Sequence, residues 1–338
     1  MLASCATPPG YLAKQGGYLL RDSFGARGID ALIADPATPA GTRAFLARAR
    51  EIKRFTVGTL GLRDNGNYSR YKAIDRDFLA TVVSACDAAS FTPYYWSYPL
   101  LGKLPYMGFY ERPDAETEAA RLGKEGWDVV VRKVDAFSTL GFLRDPLYSF
   151  MERYSPFQLA LLIIHEQTHA TLFVKGQAQF NEELATFVGE EGALAWLRAA
   201  YGEGSAEYRA ALDEQADSET FLAFVGELTK ALDEVYRGTL SRGEKLARKK
   251  EIIEVHKARF AAETQQRFRT AGFRDIGELP ITNAWLSLYG LYTEDVPLLR
   301  DFWERRCGGD LRRFIAEAVR LSRKGDVREL MRQELSSF

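Results

Sequence analysis

Residues 159–171 read LALLIIHEQTHAT and contain a His-Glu-x-x-His pattern at His165, Glu166 and His169. Because this spacing is close to one turn of an α-helix, both imidazoles lie on one face of a helix, where they can bind one Zn²⁺. Glu166 lies one residue further round, where its carboxylate can accept a proton from a water activated by the metal. These are two of the only three histidines in 338 residues. The stretch therefore predicts a helix that carries a metal site.

The sequence around this stretch also indicates where the helix begins and ends. Ser155, Pro156 and Gln158 supply a hydroxyl cap, a proline at the first helical position and a capping box. Gly176 is a stop signal, so we predict a helix over residues 157–174. Every residue from Leu159 to Ile164 is apolar, which indicates a helix buried on all sides and a site at the bottom of a cleft.

The composition is that of an ordinary globular protein, with 46% hydrophobic and 27% charged residues. Lysine and arginine (45) nearly balance aspartate and glutamate (46), so the net charge of −1 gives no reason to expect a nucleic-acid partner. No apolar run reaches the roughly 18 residues of a membrane span. Three cysteines are too few for a disulfide framework.

The first residues suggest a lipid anchor. Leu2-Ala3-Ser4-Cys5 resembles a bacterial lipobox, in which a signal peptide is cut before a cysteine that is then lipidated. A basic and apolar leader would have to precede Leu2; otherwise the similarity is accidental. We therefore predict a tether over residues 1–30 and a bacterial cell-envelope location facing the periplasm, provided that such a leader exists.

The rest of the chain predicts an α+β protein. Residues 31–155 form a predicted N-terminal lobe with helices at 41–60 and 114–123 and a small, mostly antiparallel sheet. Its strands are expected at 78–85, 94–100, 107–110 and 127–137. Residues 156–338 form a mainly helical lobe that completes one catalytic unit, with helices at 157–174, 182–201, 207–240, 242–270, 283–292 and from 296 onwards.

A catalytic zinc needs a third protein ligand. His256 lies in a long amphipathic helix beside Ile252 and Ile253, which favours a structural role. A carboxylate is the better candidate, because the next helix starts soon after Gly176 and can return its first turn to the metal. The residues themselves do not decide whether Glu182 or Glu183 is that ligand.

Several stretches of the chain resemble a family of bacterial zinc aminopeptidases whose members often carry a lipoprotein signal. The resemblance rests on HEQTHA at residues 165–170 followed by FNEELATFVGEEG at 180–192. Further similar segments occur in the same order at residues 33–39, 62–68, 106–110, 137–146 and 283–292. The resemblance implies a zincin-like fold.

The resemblance also implies site residues. In gluzincins, the glutamate that follows asparagine in an Asn-Glu pair is the third ligand, which corresponds to Glu182 here. Glu183 stays an alternative, because the interval from His169 is shorter than in thermolysin-like enzymes. In similar enzymes a tyrosine stabilises the oxyanion, and Tyr289 and Tyr292 are the candidates in this chain.

Other carboxylates of this region have possible roles beside the metal. Glu190 and Glu191 are candidates for holding the histidine N–H groups, although exposed helix carboxylates explain them equally well. An aminopeptidase also needs a carboxylate near the substrate α-amine, for which Glu183 and Glu190 are candidates.

The sequence thus predicts a zinc-dependent peptidase that acts on peptides or proteins, with Glu166 as general base. Aminopeptidase activity follows from the resemblance alone. One alternative is an envelope zinc endopeptidase with the same centre. A second is a non-catalytic, lipid-tethered zinc-containing binding protein. The oligomeric state and the preferred substrate residue are left open.

Overall fold

The computed structural model describes residues 9–23, 25–98, 102–135, 145–273, 278, 280–290 and 295–337. The protein is α+β, as predicted, with short strands and many helices. It contains helices α1 (Pro9–Ser23), α2 (Ile29–Ala34), α3 (Ala40–Phe55), α4 (Arg112–Lys124), α5 (Pro156–Thr171), α6 (Ala178–Tyr201), α7 (Ala206–Arg237), α8 (Arg242–Arg259), α9 (Asn283–Gly290), α10 (Val296–Asp301), α11 (Leu311–Ser322) and α12 (Val327–Ser336). It contains strands β1 (Arg27–Gly28), β2 (Arg70–Lys72), β3 (Ala80–Asp87), β4 (Trp96–Tyr98), β5 (Gly102–Leu104), β6 (Tyr106–Phe109), β7 (Trp127–Val134) and β8 (Leu147–Tyr148).

The chain divides into two compact units, and each unit draws on several segments. The first comprises Met1–Leu20, Asp77–Phe137 and Asp213–Gly290, and the second comprises Arg21–Arg76, Ser138–Leu212 and Leu291–Phe338. Both units combine segments from before and after residue 155, and the domain boundaries predicted from the sequence stay a prediction. Within the described ranges, no helix has the length and apolar character needed to cross a membrane.

The first unit is built on an antiparallel sheet of order β6-β3-β7. Strand β3 is buried along almost its entire length, since it lies in the middle of the sheet and contacts both α4 and α9. Strands β4 and β5 form a separate antiparallel pair. The predicted small, mostly antiparallel sheet is therefore confirmed. The predicted ends at residues 99–100 and 136–137 lie outside the described residues.

Part of the predicted tether is helical. Helix α1 begins at Pro9, and the Tyr11 hydroxyl donates a 2.5 Å hydrogen bond to the Gly108 carbonyl oxygen. The Tyr11 ring also packs edge-on against Phe109, with centroids 5.4 Å apart. Residues 10–20 thus contribute to the first unit. Cys5, on which the predicted lipid anchor depends, lies outside the described residues.

The second unit combines a small sheet with packed helices. Its strand order is β1-β2-β8, with β1 and β2 antiparallel and β2 and β8 parallel. Helices α5 and α6 form a tightly packed hairpin, and α3 also contacts α5. A Cβ atom added to Gly189 of α6 would lie 3.3 Å from the Leu161 carbonyl oxygen and 3.4 Å from the His165 Cβ. The absence of a side chain at Gly189 therefore permits the close approach of α6 to α5 beside His165.

Some predicted helices are interrupted. The helix predicted over 41–60 consists of α3 and a π-helical turn at Thr56–Leu60. The helix predicted from 296 onwards is divided into three, with a π-helical turn at Phe302–Arg306. Gly308 and Gly309 follow that turn with φ values of 66° and 74°. Consecutive left-handed residues do not continue an α-helix, which explains the break.

Candidate active site

Helix α5 begins as the sequence predicted. The Ser155 hydroxyl accepts a 3.1 Å hydrogen bond from the Gln158 N–H, and the Gln158 side chain accepts a 3.2 Å bond from the Ser155 N–H. Pro156 occupies the first helical position, where its missing N–H has no cost. The predicted capping box is confirmed and fixes the register of the helix.

The end of α5 differs from the prediction. The helix ends at Thr171, not at Val174. The Asn181 side-chain amide donates to the Val174 carbonyl oxygen and accepts from the Val174 N–H, both at 2.8 Å. Because these bonds occupy both backbone groups of Val174, the chain leaves the helix early and α6 starts at Ala178. Asn181, immediately before Glu182, thus determines how α6 begins.

Three candidate ligands converge at the paired helices. The Nε2 atoms of His165 and His169 are 3.1 Å apart. The Glu182 Oε2 atom lies 3.6 Å from the His165 Nε2, and Oε1 lies 3.5 Å from the His169 Nε2. These residues form a cluster of possible metal ligands within the described residues. Two imidazoles and one carboxylate can therefore meet at one point.

The spacing of these atoms suits a tetrahedral metal. Two ligand atoms that each lie about 2.1 Å from a tetrahedral centre are about 3.4 Å apart. The three separations of 3.1, 3.5 and 3.6 Å lie close to that value. Nitrogen and carboxylate oxygen donors are also those that Zn²⁺ uses in catalytic sites. The residues present therefore fit a zinc ion.

The electrostatics of the cluster favour a charged Glu182. Burial raises the pKa of Glu182, but its interactions with His165 and His169 outweigh burial and hold that pKa well below its usual range. Burial lowers the pKa of His169, whereas the Glu182 carboxylate raises it by more. Each histidine side chain is 16% exposed, so the cluster is largely shielded while still reachable from solvent.

Glu183 has a different environment. It is fully buried, and its carboxylate accepts hydrogen bonds from the Gln179 side-chain amide at 3.0 Å and from the Asp295 N–H. Asp295 in turn forms a 2.6 Å ion pair with Arg328. The Glu183 carboxylate therefore links α6 to residues near α10 and α12, while the Glu182 carboxylate faces the histidines.

Two further residues, Tyr68 and Asp145, were not predicted as site residues. Asn67 and Asp145 form a reciprocal pair, in which the Asn67 amide donates to the Asp145 Oδ2 and accepts from the Asp145 N–H, both at 3.2 Å. Tyr68, the residue after Asn67, donates its N–H to the Asp145 carbonyl oxygen at 2.7 Å. The pairing of β2 with β8 starts just beyond these bonds. The sheet therefore holds Tyr68 and Asp145 side by side.

Both residues interact electrostatically with Glu166. Burial raises the pKa of the Asp145 carboxyl to about 7, and the negative charge of Glu166 adds to that effect. Burial raises the pKa of the Tyr68 hydroxyl well above its usual range, and Glu166 and Asp145 add to it. The predicted general base thus has within electrostatic range a second carboxyl and a phenol. The only sequence signal for the last two was that residues 62–68 and 137–146 resemble segments of the same family.

A comparison with protein families identifies the family of this chain. The model of a family described as "Putative aminopeptidase" matches residues 10–332. The chain belongs to this aminopeptidase family. No curated protein and no solved structure matches the chain. The matched range includes His165, Glu166, His169 and Glu182.

Two tyrosines of this aminopeptidase-family chain were predicted as oxyanion donors. Tyr289 belongs to the first unit, where its ring packs edge-on against Phe221 with centroids 4.8 Å apart and against Trp285 at 4.9 Å. These contacts are those of a packing side chain. Tyr292 lies outside the described residues. The roles predicted for both tyrosines stay predictions.

Two other candidates have defined partners. Glu191 forms a 3.2 Å ion pair with Arg300, which gives its carboxylate a structural partner in the second unit. Glu190 is half-buried, and its proposed contact with the histidines stays a prediction. His256 lies on α8 in the first unit, with its Nδ1 atom 2.9 Å from the Ile252 carbonyl oxygen.

The raised pKa of Asp145 predicts a pH-dependent stability of the metal-free protein. Its folded pKa of about 7 lies above the usual aspartate value of 3.8, so the folded state binds more protons between those pH values. The free energy of unfolding therefore falls as pH rises through this window. Asp145→Asn removes the titrating carboxyl and with it this fall in stability. The free energy of unfolding of the variant minus that of wild type is therefore expected to increase by about 2 kcal/mol between pH 5 and pH 8. Urea unfolding at both pH values measures this difference, and a gain independent of pH would contradict the assignment.

Proposed function

We propose that this chain is a zinc-dependent aminopeptidase. The observation that supports the proposal is the triangle formed by two imidazole nitrogens and the Glu182 carboxylate, with Glu166 adjacent on α5. Membership of the aminopeptidase family supports peptide hydrolysis independently of this geometry. His165, His169 and Glu182 would hold the metal. Bound zinc would supply Lewis acidity, which favours the ionisation of water and polarises the scissile carbonyl group.

Glu166 would perform the proton transfers. Its carboxylate follows His165 directly on α5 and is half-buried, so it is reachable by a water molecule at the cluster. It accepts a proton from the attacking water as the bond to the carbonyl carbon forms. It then passes that proton to the amine that leaves when the C–N bond breaks. A purely structural metal site has no need for such a group, which is why Glu166 favours catalysis over simple binding.

Asp145 supports exopeptidase action over internal cleavage. An aminopeptidase must bind the positively charged α-amine of its substrate, and Asp145 adds a second carboxyl to the Glu166 region. The reciprocal bonds with Asn67 fix the orientation of this carboxyl. A substrate ammonium group would offset the repulsion between the two carboxylates and stabilise both as anions. We therefore assign α-amine recognition to Asp145 in place of Glu183, whose carboxylate is occupied in the core.

Asp145→Asn is expected to raise KM for peptides with a free N-terminus by about 10- to 100-fold, because a charge-assisted hydrogen bond is lost. The change in kcat is expected to be smaller. Steady-state kinetics on a dipeptide amide measures both constants. Asp30→Asn is the matched control, because the Asp30 side chain is 80% exposed and pairs with Arg50. An unchanged KM in Asp145→Asn would remove this residue from amine recognition.

The proposed function is tested with zinc-loaded protein on paired peptides that carry a free or an acetylated N-terminus. An aminopeptidase releases the first residue of the free peptides and leaves the acetylated ones intact. Equal cleavage of both sets would favour the envelope endopeptidase alternative. No cleavage of any peptide in a broad library would favour the non-catalytic binding protein. A cell-envelope location through lipidated Cys5 is a further proposal, which detergent partitioning of the native protein would test.

A further inference from the structure

Gln167 is a polar residue on the buried side of α5. It is fully buried, whereas His165 and His169, each two residues away, are half-buried. Because a helix turns by about 100° per residue, Gln167 lies on the face opposite to both histidines. It belongs to the same turn of the helix as they do. A contact made by Gln167 therefore acts on the back of the turn that carries the metal cluster.

Gln167 contacts Thr56, where α3 passes into its π-helical turn. The Thr56 hydroxyl lies 2.5 Å from the Gln167 Oε1 and 2.8 Å from the Lys53 carbonyl oxygen, and Thr56 is also fully buried. One helical turn further along α5, the Thr171 hydroxyl accepts a 2.9 Å bond from the Arg63 N–H. The segment that begins with the π-helical turn thus supports the back of α5 through directional bonds.

The hydrogen atoms of the contact between Gln167 and Thr56 have one consistent arrangement. A hydroxyl has a single proton, so Thr56 cannot donate to two oxygens at once. The Gln167 Nε2 is at the same time a buried donor without a partner among the described residues. Both problems disappear when Nε2 faces Thr56, because Nε2 then donates to the hydroxyl, which donates to the Lys53 carbonyl oxygen. The amide oxygen is then the atom without a partner. Two consecutive hydrogen bonds would thus join α5 to α3.

We propose that Gln167 is a positioning residue that, through Thr56, fixes the rotation of α5 and with it the direction of both histidines and of Glu166. This inference rests on the proposed function. The neighbouring buried residues Ile163 and Ile164 pack through apolar contacts, which have no preferred direction. A hydrogen bond weakens steeply when its length or angle changes. A satisfied polar contact in the core therefore selects one setting of the helix.

Thr56→Val tests this role, because it removes the hydroxyl and keeps the shape of the side chain. It leaves the Gln167 amide buried without a partner, so the thermal midpoint of the metal-free protein is expected to fall. Zinc affinity is expected to fall about 10-fold and kcat about 10- to 100-fold, because the metal ligands and Glu166 are held less firmly. KM is expected to change little. Thr56→Ser keeps the hydroxyl and is expected to retain wild-type zinc affinity and kcat.

The double variant Thr56→Val with Gln167→Met separates positioning from stability. When both polar partners are replaced by apolar groups of similar shape, the effect on stability can be nearly neutral. The thermal midpoint is therefore expected to return close to that of wild type. Zinc affinity and kcat are expected to stay low, since an apolar contact does not replace the directional bond. Calorimetry with Zn²⁺ and melting of the metal-free protein give two readouts that do not depend on activity.

Thr168→Val is the matched control on the same helix. Thr168 is buried, but its hydroxyl donates a 2.8 Å bond to the Ile164 carbonyl oxygen within α5, so the change removes no bond to α3. Its zinc affinity and kcat are expected to equal those of wild type.

Two results would overturn the role proposed for Gln167. One is an unchanged zinc affinity in Thr56→Val. The other is a double variant in which zinc affinity and kcat return to wild type together with the thermal midpoint, because the bond would then be merely structural. If wild type binds zinc but cleaves no peptide, the proposed function fails instead, and the zinc affinities of the variants still test Gln167.

Discussion

Glu166→Gln is expected to lower peptide hydrolysis by about 10²- to 10⁴-fold while zinc content and thermal stability stay near wild type. The amide has almost the same shape as the carboxylate but cannot accept the proton of the attacking water. His165, His169 and Glu182 keep their positions, because none of their mutual contacts involves the Glu166 side chain. The measurement combines kcat on a free dipeptide amide with metal analysis of the same sample.

The matched control for this experiment is Glu203→Gln. The Glu203 side chain is 68% exposed and pairs with Arg198, so its loss is expected to leave kcat unchanged. A Glu166→Gln enzyme as fast as wild type would remove Glu166 as the general base. Together with an inactive wild type, it would favour the binding-protein alternative.

Glu182→Ala is expected to weaken zinc binding by more than about 100-fold, since even residues that only support a metal ligand contribute 10- to 100-fold. The two histidines that are left cannot complete the three-ligand set of a catalytic zinc site. Zinc is therefore expected to raise the thermal midpoint of wild type and to have little effect on the variant. Titration calorimetry with Zn²⁺ and thermal melting with and without the metal measure both effects.

Glu183→Gln provides the contrast on the neighbouring residue. Glu183 is fully buried and its carboxylate accepts bonds from Gln179 and from the Asp295 N–H, so the change is expected to lower stability and to keep zinc affinity. If Glu183→Gln loses zinc and Glu182→Ala keeps it, the third ligand has been assigned to the wrong carboxylate.

The parts of the site that the sequence predicted are those encoded over short distances. Ser155 and Gln158 are three residues apart, and their capping box formed as expected. His165 and His169 meet because a helix brings such residues to one face. Glu182 and Glu183 could not be separated by such local reasoning, because both lie near the start of the same helix. The buried partner of Glu183, the Asp295 N–H, is far away in sequence.

The parts that were missed depend on pairing between distant segments. Tyr68 and Asp145 are adjacent because β2 and β8 pair in parallel, with Tyr71 opposite Leu147. These strands are three and two residues long, too short to show an alternating pattern in the sequence. The left-handed backbone of Tyr68, with a φ of 57°, was equally hidden, since tyrosine is not a residue that signals positive φ. Asn181 ended α5 early through side-chain bonds that no helix propensity records.

The hairpin of α5 and α6 has a consequence for how the protein is assembled in the cell. His165, His169 and Glu182 all lie on this one hairpin, so their approach requires no segment that follows α6. Contacts between residues close in sequence form with little loss of chain entropy and therefore early in folding. A nascent chain that has emerged from the ribosome as far as α6 already carries all three candidate ligands, so on the proposed function it would be able to bind zinc during synthesis.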